Sequence, residues 1–299
     1  MPRRRITFRQ LETFAQVARL GSFTRAADAL HLTQPAISIQ IRQIADTLGM
    51  PLFEQIGRDI SLTPAGQLLM QATRELDDVW NRFESSIDDL KGLKRGKLRV
   101  ALVTTAKYFL PRMLGAFCQR YPDIEIELEI ANRERIVERL RSNQDDLYIM
   151  SYPPADLDIV ARPFLENALV IVAAPGHWAV GRQVTLAELA GEHFLLREQG
   201  SGSRHAVDRH LAAVGMRLNV RLSLASNEAI RDLAASGMGL GVLSRHALDS
   251  EPARDGIAIL DVEGFPIQQA WNVVHLDKKL LSVPARAFLD DLLKLHREG

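Results

Sequence analysis

Three side chains spaced four apart, Gln34, Ser38 and Arg42, fall within a narrow sector of any helix that carries them. Gln and Arg bond bidentately to base edges and Ser reaches a base or a phosphate, so this set is suited to reading a duplex groove. A second group of residues is suited to holding an anion. Thr104, Thr105 and Lys107 stand together, Arg197 precedes the run Gly200-Ser201-Gly202-Ser203-Arg204, and Asn132 and Ser226-Asn227 open two further helical patterns. Hydroxyls, cationic heads and helix-start amides that glycine lets a ligand approach are the donors an oxyanion requires. Taken singly, each Ser or Thr reads as a helix cap. Four such starts, two of them bearing cations, point to an anion cleft with two separated corners, which suits a ligand charged at both ends.

Other chemistries are poorly served. Ser203, His205 and Asp208 sit within about one helical turn, too close in sequence for the mutual geometry of a catalytic triad. His205 and His210 are off one helical face, and no H-E-x-x-H occurs. Gly237-Met238-Gly239-Leu240-Gly241 lies between a helix and a strand and lacks the third spacing of a dinucleotide loop. The one cysteine, Cys118, falls beside Phe117 on a helical pattern and reads as a buried structural thiol. No catalytic residue, metal site or cofactor is assigned.

The elements that position these groups follow from composition and periodicity. A length of 299 residues suggests two or three compact units, and 25% charged residues with a net charge of zero exclude wholesale disorder. A single cysteine suits a reducing compartment. The longest apolar run, Ala168 to Ala174, is far short of the ~20 residues a membrane helix needs, and no secretory signal is visible. The expectation is a cytoplasmic protein with no membrane partner. Only residues 1–63 are charge-biased, at net +3, with Arg3, Arg4, Arg5 and Arg9 preceding the first acid; this is a solvated tail or a basic arm near phosphates.

Leu11, Phe14, Ala15 and Ala18 mark a helix over 8–20, capped by Thr7 and stopped by Gly21. Ser22 caps a second helix with Phe23, Ala26, Ala27 and Leu30 inward. Thr33 caps a third with Pro35 in its first turn, Ile37, Ile41, Ile44 and Leu48 inward, and Gly49 at its end. Gly57 then turns a small hairpin with Arg58 at its tip, where an arginine can enter a minor groove. This is winged helix-turn-helix geometry, or else a three-helix bundle with an ordinary wet surface.

The motifs decide between these. Leu11-Glu12-Thr13-Phe14, Gly21-Ser22-Phe23-Thr24-Arg25-Ala26-Ala27, Thr33-Gln34-Pro35-Ala36-Ile37-Ser38, Leu52-Phe53-Glu54 and Leu62-Thr63-Pro64-Ala65-Gly66, in that order, resemble the DNA-binding domain of LysR-type transcriptional regulators. On that resemblance Thr33, Gln34, Pro35, Ser38, Arg42 and Arg58 are expected at double-stranded operator DNA. The family often carries Arg after the third-helix Ser; here the residue is Ile39.

From Pro64 to about Lys91 the chain reads as one long helix. Leu69, Leu76, Phe83 and Leu90 recur every seven residues, with Trp80 and Ile87 on a second seam and acids between. At ~1.5 Å per residue it reaches ~40 Å. A helix packed on its own domain is one reading; a helix paired with that of a second copy is the one the polarity favours. The resemblance likewise implies a dimer through this linker and a homotetramer beyond it. Lys91 to Gly96 is the expected hinge. The remainder alternates strand and helix, giving two α/β lobes with crossings near Arg162–Asn167 and Gly264–Gln269. The fold expected is therefore α/β multidomain. It comprises a winged helix-turn-helix over 1–63, a linker helix over 64–91, and a two-lobed domain over 92–299 resembling periplasmic binding proteins. Lobe I takes about 97–163 and 269–299, and lobe II about 167–264.

A narrower resemblance lies in Thr104-Thr105-Ala106-Lys107-Tyr108-Phe109-Leu110-Pro111, Asp146-Leu147-Tyr148-Ile149-Met150, Pro163-Phe164-Leu165-Glu166-Asn167, Gly200-Ser201-Gly202-Ser203-Arg204 and Ser226-Asn227-Glu228-Ala229-Ile230. These are similar to the CbbR and CmpR branch, which regulates Calvin-cycle and inorganic-carbon operons and responds to phosphorylated metabolites such as ribulose 1,5-bisphosphate and 2-phosphoglycolate. The resemblance implies an effector held by Thr104, Thr105, Lys107, Asn132, Arg197, Ser201, Gly202, Ser203, Arg204 and Asn227, and RNA polymerase as a further partner. Two alternatives stand beside it. One is a LysR-type regulator of a non-phosphorylated carboxylate; the other is a cytoplasmic small-molecule binding or transport protein whose helical N-domain only dimerises.

Overall fold

Capped amphipathic helices build the N-terminal end of the chain. The computed structural model describes residues 6–56, 59–90 and 95–298, and the chain forms two compact units, 1–81 and 82–299. Helix α1 (Phe8–Leu20) starts in a capping box in which the Thr7 hydroxyl and the Gln10 side chain each accept from the other's backbone N–H. Helices α2 (Phe23–Ala29) and α3 (Gln34–Leu48) begin at Ser22 and Thr33 as their side-chain chemistry dictates. Phe14, Val17, Ala26, Ala27, Ile37, Ile41 and Ile44 close the core between them. Leu48, expected inward, is exposed. It lies in the last turn, beyond Ile44 and Ala45, the last residues of α3 packed on that core, and the helix ends at Gly49 in the left-handed conformation (φ 72°).

Strands β1 (Phe53–Ile56) and β2 (Asp59–Leu62) pair antiparallel as the expected wing. Its tip, with Arg58, lies outside the described residues, as do Arg3, Arg4, Arg5 and most of the Lys91–Gly96 hinge. Helix α4 (Pro64–Leu90) follows. Its first turns belong to the N-terminal unit, where Met70 and Thr73 are buried, and Ser85 is buried in the second unit. Between them Leu76, Val79, Trp80 and Phe83 are exposed.

The second unit is built on one mixed sheet. Its strands are β3 (Gly96–Val103), β4 (Ile124–Ala131), β5 (Leu147–Met150), β6 (Ile159–Ala173), β8 (His193–Arg197), β9 (Asn219–Leu224), β10 (Leu240–Ser244) and β13 (Ile267–Leu276), in the order β4-β3-β5-β13-β6-β10-β8-β9. Short strands β7 (Gln183–Val184) and β12 (Asp261–Val262) pair with each other, and β11 (Ala258–Ile259) adds to β6. The β3, β4 and β5 ladders are parallel because helices α5 (Leu110–Arg120) and α6 (Arg133–Arg141) return the chain across them. In lobe I, α5 and α9 (Val283–Glu298) bury Leu114, Phe117, Phe288 and Leu292 against the sheet. In lobe II, α7 (Gly202–Ala213) contributes Ala206, Val207 and Leu211 to one buried cluster, and α8 (Asn227–Ala235) gives Ile230 and Ala234 to another.

The chain passes between lobes twice, along β6 and β13, and these two strands pair with each other from Ile159↔Leu276 to Leu169↔Ile267. Their register shifts between Trp271 and Asn272. Cys118 is exposed, contrary to the buried thiol expected. Leu114 and Phe117 occupy the inward face of α5, and Cys118 lies one residue, about 100° of helix, beyond Phe117. Among the described residues no helix is long and apolar enough to cross a membrane, and no three His, Cys, Asp or Glu gather for a metal.

Candidate functional site

On α3 the buried isoleucines turn the opposite face outward. Gln34, Pro35 and Arg42 are exposed and Ser38 is half-buried. Gln34 Nε2 donates to Ser38 Oγ at 3.0 Å, which pre-sets the Gln amide, and Thr33 Oγ1 accepts from Ala36 N. Ile39 is 56% exposed beside this polar sector, an apolar side chain where packing calls for none. Thymine methyl groups are the apolar feature of a major groove.

In the second unit the chain leaves β3 through a 3₁₀ turn, Thr104–Tyr108. Thr104 Oγ1 donates to the Ala131 carbonyl at the end of β4, and the buried Thr105 Oγ1 accepts from Asn227 Nδ2 at 3.3 Å. Asn132 and Ser201 cap α6 and α7, accepting from Arg135 N and Arg204 N. Arg197, buried at the end of β8, gives Nη1 to Asn227 Oδ1 at 2.9 Å and spans both carboxylate oxygens of Glu198. Thr104, Thr105, Asn132, Arg197, Ser201, Gly202 and Ser203 together line one small cavity between the lobes. Its free space of ≈ 10 Å³ is about that of one water molecule. A larger cleft of ≈ 560 Å³ alongside shares Ser201 with it and adds Gln199, Gly200 and His205.

Beside Val103, at the end of β3, three residues lining the small cavity escaped the sequence reading: Arg133, Ser151 and Trp271. Arg133 lines both spaces. Its Nε donates to the Tyr152 carbonyl at 2.9 Å, its guanidinium lies over the Tyr152 ring, and burial lowers its pKa from the ordinary value. Among the described residues it has no carboxylate within ion-pair distance. A cation following Asn132 at a helix start was a usable signal; Ser151 and Trp271 follow or sit within apolar strands and carried none.

Lys107 and Arg204, both expected at the effector, line neither space. Arg204 Nε bonds both oxygens of Asp208 on the next turn. Lys107 Nζ meets Glu228 Oε1 at 2.9 Å, and Tyr108 donates to the same oxygen at 2.8 Å. These contacts join the 3₁₀ turn of lobe I to α8 of lobe II. Burial alone would raise the Glu228 pKa. Hydrogen bonds from Lys107, its own backbone, Ser226 and Tyr108 outweigh burial and hold it down at about 2. Burial, then the Glu228 hydrogen bond, push the Tyr108 phenol above its ordinary value. The arrangement can bind an acceptor-rich anion.

Comparison with known proteins follows the same division. Residues 8–67 match the family described as bacterial regulatory helix-turn-helix protein, lysR family, and residues 91–297 match the LysR substrate binding domain. The chain is 46% identical over 287 residues to the HTH-type transcriptional activator CmpR of Synechocystis sp., covering 96% of this chain and 94% of that protein. It is 43% identical over 297 residues to the RuBisCO operon transcriptional regulator of Acidithiobacillus ferrooxidans, covering 99% and 96%. Among solved structures, the Synechocystis CcmR regulatory domain in complex with 2-PG superposes with a TM-score of 0.65 at 46% identity. That match covers 67% of this chain and 97% of that domain.

Proposed function

The chain belongs to the LysR family of transcriptional regulators, and from that premise we propose that it governs carbon-fixation or inorganic-carbon genes in response to a small phosphorylated anion. The candidates are 2-phosphoglycolate and ribulose 1,5-bisphosphate. As a member of the family it is a DNA-binding regulator rather than an enzyme. The observation that carries the finer reading is likeness along nearly the whole chain to regulators named for RuBisCO operons, together with that to a regulatory domain solved with 2-PG.

The geometry supports the reading. Arg133 supplies charge, Arg197 a guanidinium shared with Glu198, Thr104, Thr105, Ser151, Ser201 and Ser203 supply hydroxyls, and the starts of α6 and α7 at Asn132 and Gly202 supply backbone amides. Asn227 holds Arg197 in place. Lys107 joins the site as a cation the ligand must win from Glu228, and Arg204 as one it must win from Asp208. A ligand with one anionic end at Arg133 and another near Lys107 separates the two lobes' contacts from each other, and shifts their balance only by its differential affinity for the two arrangements.

At the other end, Thr33, Gln34, Pro35, Ser38, Arg42 and Arg58 contact the operator. Two copies pair through the exposed apolar face of α4 (Leu76, Val79, Trp80 and Phe83). Further association to a tetramer uses the two edges of the sheet. The β4 edge exposes Leu128 and Ile130 between acidic residues, and the β9 edge exposes Val220 and Leu222 around Arg221. Effector-dependent packing of this tetramer alters contact with RNA polymerase.

Calorimetric titration of the full-length protein with 2-phosphoglycolate, ribulose 1,5-bisphosphate and a non-phosphorylated dicarboxylate tests the effector class. Saturable binding of a phosphate ester is expected. Binding of the dicarboxylate alone, or of none, removes the carbon-fixation reading and leaves family membership intact.

A further inference from the structure

Trp271 is 1% exposed, yet its indole Nε1 has no hydrogen-bond partner among the described residues, and the residue lines the small cavity between the lobes. Buried indoles ordinarily find an acceptor for their N–H, and a buried donor left unpaired is unfavourable. The ring's apolar needs are already met: Phe109 lies 5.0 Å away, centroid to centroid, and His246 6.3 Å. Packing alone therefore explains a large aromatic at this position and not the N–H.

The register of β13 against β6 shifts between Trp271 and Asn272, where β6 carries one extra residue, Phe164. Trp271 pairs with Leu165, in the middle of the stretch where both strands pass between lobes. Of its cavity neighbours, the Thr105, Ser151 and Ser201 hydroxyls and the Arg197 guanidinium are donor groups, with part of the Arg197 fork taken by Asn227 and Glu198 and the Thr104 hydroxyl by the Ala131 carbonyl. A space bordered by so many donors, one of them an orphan, is complementary to an oxyanion.

We propose that the Trp271 indole N–H donates a hydrogen bond to an anionic oxygen of the effector, making Trp271 an effector-binding residue contributed by the strand that joins the lobes. The proposal rests on the reading of the interlobe cleft as the effector site. The indole itself does not titrate, so any pH dependence of this bond comes from ionisation of the anion.

The test uses the full-length chain labelled with 15N-tryptophan, whose indole signals come from Trp80, Trp178 and Trp271. The Trp271 signal is identified by elimination in the Trp80→Phe and Trp178→Phe variants. Titration with 2-phosphoglycolate, ribulose 1,5-bisphosphate or the dicarboxylate, whichever binds, is expected to move the Trp271 indole proton downfield. The Trp271→Phe variant, which keeps an aromatic ring, is expected to lose about tenfold in affinity (about 1.4 kcal/mol) while retaining operator binding. A ligand that binds without moving that proton, or that binds the Phe variant within twofold of wild type, overturns the proposal and leaves the cleft reading standing. Absence of binding by all three anions overturns both.

Discussion

Glu228 is a residue on which the two lobes meet chemically, beside the Asn227–Thr105 hydrogen bond. Its carboxylate takes Lys107 and Tyr108 from one lobe while belonging to the other, and it sits where a second anion would compete for the same lysine. Its folded pKa of about 2 lies below the ordinary 4.5. A depressed carboxyl contributes stability that is fully present above its unfolded pKa and is lost as pH falls through the folded one. Denaturant unfolding of wild type and Glu228→Gln should therefore differ by a constant amount near neutrality. The gap should narrow below pH 4.5 and close as pH approaches 2; a gap unchanged across that window would remove the ionised clasp. The importance of a cation beside Thr105 was legible from sequence. That a glutamate 121 positions later neutralises it was not, since residue spacing carries no information about which helix starts meet across a cleft.

At the scale of elements, the junction of hairpin and α4 shows why a short motif has the residues it has. Thr63 donates its hydroxyl to the Pro51 carbonyl at 2.7 Å and accepts from Gly66 N at 3.0 Å, so one side chain both caps α4 and ties it to the start of the hairpin. Gly66 lies so close to that strand entrance that a Cβ would stand 2.1 Å from the Leu52 carbonyl oxygen. The contact is with backbone, which cannot rotate away. Gly66→Ala should destabilise the N-terminal unit by about 1–3 kcal/mol, read as a lower thermal midpoint with the C-terminal unit's transition unmoved. An unchanged midpoint would mean that the junction relaxes freely. The sequence placed the start of this helix at Pro64 by local pattern alone. The reason for glycine at 66 is a tertiary approach, invisible to any local rule.

At the scale of the whole molecule, the exposed apolar face of α4 is what a monomer does not explain. Phe83 is 53% and Trp80 50% exposed on a helix whose remaining surface is rich in acids. Burying such a face against its own copy is the ordinary source of stability in a paired helix. Phe83→Asp should place a buried charge in that seam and shift the protein towards monomer in sedimentation, with operator affinity falling because two half-sites are no longer held together. A dimer that survives the substitution would move the seam elsewhere. The heptad spacing made this face readable in advance. Which turns of α4 pack on the first unit and which on the second was decided by burial at Met70, Thr73 and Ser85.

What the sequence determined by itself is whatever depends on neighbours within a few positions. That includes helix starts at Thr7, Ser22, Thr33, Asn132, Ser201 and Ser226, the periodic core faces, the wing, and the alternation of strand and helix. Side-chain caps and hydrophobic period act through local geometry, so they survive translation into a string of letters. Only the tertiary structure decided which polar groups found partners. Lys107 and Arg204 turned to carboxylates, Cys118 lay outside its core, and among the described residues Arg133 found no carboxylate and the buried Trp271 no acceptor for its N–H. Pairing and burial depend on distances between segments more than a hundred residues apart, and those distances exist only once the chain has packed.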